Sequence, residues 1–564
     1  MYFSFFVKRV RLIITFTAFM PNLYGQGNAS VVKPSNKFYL GMDVSGDRNP
    51  TNGFFNSAAM DSLGVDFAVW HYHTRNLTVK EGAQKMVKLV ETARKENLKV
   101  VVNVEEGNFD LNIAGADGVS MIRKSDNTHL YQFPDEILKS LNAPDVIWGI
   151  QYDELEHSQI TRNMSISIEH PDKELACLVE TTGMTFKEAD SAVYEGAKDL
   201  YKSIHKFGIP HVYTEHVWPV LFHNFAKAGL TPVYKQMKEG WSNIWAAAAM
   251  GAAIQYDKEL WACLDFWHGS KFPGHSAESL SSNLLFAYWA GVDKAYVEGM
   301  GKHTYQLDQN GRVNLLARGA AFRNFAKDYV PRNKRNYTFR DFEPEIAIIR
   351  FDDTAWGQGD DVFTTVKSTK SGSLQSRLYW KDFLFGAYNL KTSAESEEWI
   401  RAWHSITHGA THEKSLSWNA ANIYHGRDYR CFAPANAPIV FDQEVKPEHL
   451  QSVKLAFLCG LFMSENTLSN VNGLVKRGLV TVTSARFVPA HIAKKYKGGT
   501  RVFADGKGKW IVTDDMAGKE VQKHIKPFIG NDNQITMKFK GDRKIVFDIS
   551  PDGKELKVNE FSSF

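Results

Sequence analysis

The sequence predicts a (β/α)8 barrel, followed by a Rossmann-like α/β domain and a small C-terminal β domain. Three observations carry the barrel. Eight short apolar runs alternate with helical patterns over roughly 290 residues, the span such a barrel needs. Nearly every run ends in an acid or a histidine. Neither GxGxxG nor GxxxxGK[ST] occurs, so the phosphate turn of an open doubly wound sheet is missing. At 564 residues the chain also exceeds one core.

The chain begins with Lys8, Arg9 and Arg11, then a short apolar stretch from Leu12 to Met20. This reads as a secretory signal over residues 1–26, too short to span a bilayer. The protein is therefore expected to be secreted or periplasmic, with no membrane span. The barrel is expected over 36–331. Its strands are Phe38–Asp43, Val65–His71, Lys99–Glu105, the run from Val146 to Asp153, His211–Glu215, Pro232–Met237, Leu260–Asp265 and Lys294–Glu298. Between them, helices are expected near Asn56–Leu63, from Thr78 to Asn97, around Pro134–Ser140, Thr185–His205, Asn243–Ile254 and Ala277–Ala290. A last amphipathic helix spans Leu315–Asp328. Thr78, with Glu81 three residues on, is a capping box. An insertion at 158–184 is long for a βα loop.

A basic, Asn-rich stretch from Pro331 to Phe342 marks a linker. The Rossmann-like domain is expected over 342–495, with short strands at Glu345–Phe351, Ala437–Phe441, Leu455–Cys459 and Leu479–Thr483. Helices are read at Ser393–His404 and Ser464–Arg477, the latter stopped by Gly478. The small β domain is expected over 500–564, because Trp510–Val512, Gln534–Phe539 and Lys544–Asp548 alternate between turn signals.

Composition narrows the function. A net charge of +4 leaves no nucleic-acid footprint. Aromatics at 13%, with 14 Trp, suit flat sugar faces as well as large cores. Cys177, Cys263, Cys431 and Cys459 are scattered, with no CxxC pair. No cofactor motif is present.

The strand tips carry Asp43, His71, His73, Glu105, Glu106, Asp153, Glu154, Glu215, His216, Asp265, His268, Glu298 and His303. Trp70, Tyr72, Tyr152, Trp218, Trp267 and Tyr296 are interleaved with them. In a parallel barrel the C-terminal rim holds the chemistry, and buried acids there are costly unless used. Paired carboxylates in an aromatic-lined cup suit glycosidic bond cleavage, in which one acid protonates the leaving oxygen and the other attacks or activates water. Glu154 is the first choice for the acid/base, because its neighbour Asp153 would raise its pKa. Its partner is Glu298 or Asp265. Glu298 is favoured because strand eight lies opposite strand four and Gly299 leaves room for a ligand. Asp43, Trp70, His71, Asp153, Glu215, Trp218, Trp267 and His268 are candidate substrate contacts.

On these residues the barrel resembles those of clan A glycoside hydrolases, which carry an Asn-Glu acid/base at the end of strand four. Glu154 matches that glutamate, and Asp153 departs from the asparagine. The clan's nucleophile is a glutamate ending strand seven; strand seven here offers only Asp265, so the match stops at that residue. The three-part order is similar to family 42 β-galactosidases. That likeness implies a middle domain similar to glutamine amidotransferases that serves assembly, hence a homo-oligomer through the second domain.

Three rival readings remain. A metal-dependent barrel hydrolase would use His71 and His73, which alternate on one strand, but barrels of the amidohydrolase type place that pair on the first strand and need a bridging lysine on the fourth, and neither holds here. A carbohydrate-binding barrel that has lost catalysis would account for the missing strand-seven glutamate. A glutaminase in the second domain would need a Cys on a tight elbow, and neither Cys431 nor Cys459 has that context.

Overall fold

Eight parallel strands close into a barrel in the computed structural model, which describes residues 37–45, 55–72, 77–104, 122–125, 128–131, 133–156, 159, 178–179, 184–216, 219–236, 242–265, 276–298, 304–351, 398–408 and 431–561. The expected signal segment and most of the insertion at 158–184 lie outside these residues. The strands are β1 (Tyr39–Ser45), β2 (Phe67–His71), β3 (Lys99–Asn103), β4 (Ile147–Asp153), β5 (His211–His216), β6 (Thr231–Gln236), β7 (Trp261–Asp265) and β8 (Lys294–Glu298). Each pairs in parallel with its neighbours in chain order, and β8 pairs with β1. The predicted fold class is therefore present.

Both faces of these strands are covered, so they read as continuous apolar runs rather than alternating ones. The outer layer is α1 (Ser57–Leu63), α2 (Val79–Lys95), α3 (Asp135–Ser140), α4 (Phe186–His205), α5 (Phe222–Ala228), α6 (Ser242–Gln255), α7 (Ala277–Trp289) and α8 (Ala317–Asn324). Local chemistry fixes the helix starts. The Thr78 hydroxyl accepts the Glu81 amide, and the Glu81 carboxylate accepts the Thr78 amide at 2.7 Å. Thr185 and Glu188 repeat the box at the start of α4. The helix α6 is buried along nearly all of its described length, and its alanines let it lie close to its neighbours. The last expected helix is shorter than read: α8 ends at Asn324 and the chain passes into a wider π turn, Phe325–Tyr329.

The stretch expected as a linker is packed instead. Arg335 is buried and donates to the carbonyls of Tyr288 and Val292, the Tyr337 hydroxyl donates to the Trp289 carbonyl at 2.7 Å, and the Phe339 amide donates to Gly291. These contacts satisfy the carbonyls that the C-terminal end of α7 leaves free.

Beyond it, six strands form a second sheet: β9 (Ile346–Arg350), β10 (Pro438–Asp442), β11 (Leu455–Cys459), β12 (Val480–Thr483), β13 (Arg501–Asp505) and β14 (Gly508–Val512), in the order β10-β9-β11-β12-β14-β13. All pairings are parallel except β13 with β14. The parallel part has the doubly wound 2-1-3-4-5 order. Its helices α9 (Glu398–Ile406) and α10 (Glu465–Arg477) lie near the predicted positions, and α10 stops at Gly478, whose φ of 132° a side chain would resist. The sequence assigned Trp510–Val512 to the terminal β domain, but hydrogen bonding puts 501–512 on the edge of the second sheet. An alternating edge hairpin has the same period as a separate antiparallel sheet, so pattern alone does not separate them. A further, four-stranded sheet comprises β15 (Gln534–Phe539), β16 (Arg543–Ile549) and β17 (Leu556–Phe561), with Ala435–Asn436 added beside β15.

The second sheet is clamped to the barrel through β10. The carboxylate of Asp442 accepts from Gln255 and Tyr256 at the end of α6, and the Val440 carbonyl lies 3.0 Å from His223 Nε2.

Candidate active site

Pleat alternation builds the site. The barrel interior is filled by Phe67, Val69, Val101, Tyr213, Val233, Trp261, Cys263 and Tyr296. The next inward position on each strand, two residues on, is His71, Asn103, Glu215, Lys235, Asp265 or Glu298; β1 and β4 add Asp43 and Asp153. Every one of these eight is polar or charged. All but Asp43, which is partly exposed, are buried.

Lys235 is the focus. Its Nζ lies 3.1 Å from Glu154 Oε1, 3.1 Å from Glu215 Oε1, 3.3 Å from Asp153 Oδ1, 3.3 Å from Glu298 Oε2 and 3.6 Å from Asp265 Oδ2. Burial alone opposes a charge on this amine, but Asp153, Glu215, Glu298 and Glu154 together hold it protonated, well above its ordinary range.

Glu154 reaches the cup by a backbone device. It follows the inward Asp153, so regular alternation would turn it outward. Its φ of 50° is left-handed and breaks the alternation, while its amide donates to the Glu215 carbonyl at 2.8 Å. A non-glycine residue in this conformation costs about 1–2 kcal/mol, and such strain clusters at functional sites.

Glu215 is anchored from below. One of its oxygens accepts from both the Gln151 amide and the Tyr296 hydroxyl. Burial raises its pKa against the pull of Lys235. Glu298 is raised further, first by burial and then by Asp265, its register partner on β7. The Cys263 thiol donates to Glu298 at 3.4 Å. His71 Nε2 lies 2.9 Å from Asp43 Oδ1, and the Asn103 amide donates to Asp153 at 3.4 Å.

Of the residues expected from sequence, Glu154, Glu298, Asp265, Asp153 and Glu215 meet on one ammonium, and His71 and Asp43 pair at the same mouth. Trp70 does not join them. It precedes the inward His71, so it faces the helix layer, fully buried beside Tyr72 and under Lys85 of α2. A sugar contact there is overturned: the ring is wall packing. Trp218, Trp267 and His268 lie outside the described residues, as do His73, Glu105, Glu106 and His303. The sequence reading missed Lys235, Gln151, Asn103 and the roles of Cys263 and Tyr296. The available signal was the lone charge of Lys235 in a buried strand, two positions after Val233.

Of the two histidines read as a metal pair, His71 is held by Asp43, and His73 lies outside the described residues. Among the described residues, Glu215, Cys263 and Glu298 offer three donor atoms within 4.8 Å of one another. Two of those side chains already contact the Lys235 ammonium, so a divalent ion there would share its ligands with a fixed positive charge. In the second sheet, Cys459 is fully buried, and burial with Glu398 nearby pushes its thiol up. Cys431 is pushed up by burial to about 12. A nucleophilic thiol needs the opposite shift.

The sequence matches no protein-family model and no curated protein. Among solved structures, an exo-β-1,4-mannosidase from an Opitutaceae bacterium is similar over 87% of this chain and 94% of its own, at 11% identity and a TM-score of 0.46. An endo-1,4-β-mannanase from Eisenia fetida is similar over 47% of this chain and 81% of its own, at 12% identity and a TM-score of 0.27. A dihydropteroate synthase from Thermus thermophilus is similar over 51% of this chain and 91% of its own, at 11% identity and a TM-score of 0.23. At this distance the likeness assigns no reaction.

Proposed function

We propose that the protein is a glycoside hydrolase in which Glu298 is the proton donor and Glu154 the attacking carboxylate. The observation that carries this reading is that these two acids, from opposite sides of the barrel, meet on the Lys235 ammonium. Environments that push two carboxyl groups apart in pKa mark the acid and its partner. Burial and Asp265 favour the neutral form of Glu298, while Glu154 accepts a charged hydrogen bond from Lys235. The sequence reading gave Glu154 the proton; the surroundings of the two groups favour the reverse.

Glu298 gives its proton to the glycosidic oxygen as that bond to the anomeric carbon breaks. Glu154 forms a bond to the same carbon. Glu298 then takes a proton from water, whose oxygen displaces Glu154. A cup with five carboxyl groups repels uronic or sulfated sugars, so the substrate is a neutral oligo- or polysaccharide. The basic and apolar N-terminus supports an exported protein.

Hydrolysis of aryl glycosides and polysaccharides by the wild type, against Glu154→Gln and Glu298→Gln, is the test. A wild type that binds a glycan and cleaves none would return the reading to a binding barrel.

A further inference from the structure

We propose that Lys235 is a positioning residue whose ammonium, set at the focus of five carboxyl groups, holds Glu154 ionised and aimed while the buried Glu298 keeps the working proton. The inference rests on the glycosidase reading and adds a residue that the sequence reading did not include.

The geometry begins with the strand. Val233, the inward residue before Lys235, belongs to the packed interior, so the lysine stem rises from a rigid layer and its nitrogen reaches the centre of the mouth. An ammonium has three protons. Glu154 and Glu215 are nearest at 3.1 Å, with Asp153 and Glu298 next at 3.3 Å. Glu215 is already held by Gln151 and Tyr296, and Asp153 receives the Asn103 amide. Glu154 sits on strained backbone and accepts a hydrogen bond from Lys235 at 3.1 Å. One positive charge among five carboxyl groups does not balance them all. Glu298 is pushed towards its neutral form by burial and by the carboxyl group of Asp265 on the adjoining strand. An amine kept charged is no nucleophile, which separates this lysine from one that forms an imine.

The experiment uses the full chain with Lys235→Met, Lys235→Arg and Lys235→Ala. Without the ammonium, both Glu154 and Glu298 become harder to ionise. The bell-shaped profile of kcat/KM for Lys235→Met should therefore move to higher pH by about one unit or more, with activity reduced at least tenfold at neutral pH. Lys235→Arg should keep the wild-type profile, and ethylammonium should restore activity to Lys235→Ala. Thermal melts add a readout free of turnover. Uncompensated carboxyl groups bind protons more tightly when folded, so the Tm deficit of Lys235→Met should be widest near neutrality and shrink on acidification. An unshifted profile together with a pH-independent Tm deficit would reduce Lys235 to packing and overturn the proposal. A wild type without glycosidase activity would remove the reaction, while the Tm series would still report whether Lys235 governs these ionisations.

Discussion

Glu154 Oε1 and Glu298 Oε2 stand 3.1 and 3.3 Å from the same Lys235 nitrogen, although their strands lie on opposite sides of the barrel. Two oxygens so placed are at most about 6.4 Å apart. Inverting glycosidases keep their carboxyl groups about 6.5–9.5 Å apart to admit a water, and retaining ones about 5–5.5 Å. With Glu154 as the attacking carboxylate, the expected outcome is retention of anomeric configuration. Proton NMR of the first-formed product, taken before mutarotation, should show the substrate's anomer; the opposite anomer would rule out Glu154 as nucleophile.

The division of roles makes a separate prediction. Glu298→Ala should keep much of its activity on aryl glycosides with good leaving groups, because these need no proton. It should lose about 10²–10⁴-fold on natural linkages. With azide, this variant should form a glycosyl azide of retained configuration, since Glu154 still attacks first. Glu154→Ala with azide should give the inverted product. If the two products are exchanged, the roles are exchanged with them.

Glu298 also sets the alkaline side of the pH profile. Burial and Asp265 raise its pKa in the folded protein, so the proton it must donate is retained well above ordinary carboxylate values. Activity on unactivated linkages should fall as pH rises through that raised pKa, and Asp265→Asn should move the fall to lower pH. The stability sign follows. A carboxyl group with a raised folded pKa contributes stability that is fully present below its unfolded value, near 4.5, and is lost as pH rises through the folded one. Asp265→Asn should therefore flatten the decline of Tm above that pH. A profile unchanged in Asp265→Asn would show that Asp265 does not tune Glu298.

Much of this was readable in the chain, for identifiable reasons. Strands buried on both faces give unbroken apolar runs, so six of the tips, Asp43, His71, Asp153, Glu215, Asp265 and Glu298, could be read directly. Direction was lost where the pleat decides it. Trp70 and His71 are adjacent, and only the register shows that the histidine points inward and the tryptophan toward α2. Glu154 escaped alternation through a left-handed residue that no pattern announces. Lys235 was passed over because a lysine within an apolar strand reads as weakening it, whereas here five acids from β4, β5, β7 and β8 supply the compensation. The edge hairpin at 501–512 was assigned to the wrong sheet because its partner, β12, is set by long-range pairing.

The clamp between barrel and second sheet yields the last prediction. Gly251 in α6 lies directly against β10. A Cβ built on it would overlap the Val440 carbonyl oxygen, with His223 Nε2 at 3.3 Å as a further neighbour. The atoms struck are the backbone carbonyl of Val440, which cannot turn away as a flexible side chain would, so Gly251→Ala must push α6 from β10 or bend the helix. Overpacking of this kind costs about 1–3 kcal/mol, and the upper end applies where a carbonyl is struck. The Val440 carbonyl's contact with His223 and the Asp442 contacts with Gln255 and Tyr256 would be strained together, since all lie along the same seam. Thermal melts should show Gly251→Ala lowered by several degrees. Because the seam lies outside the barrel wall, kcat of the folded protein at 25 °C should change little. Full stability in this variant would mean that α6 and β10 are not pressed together as described.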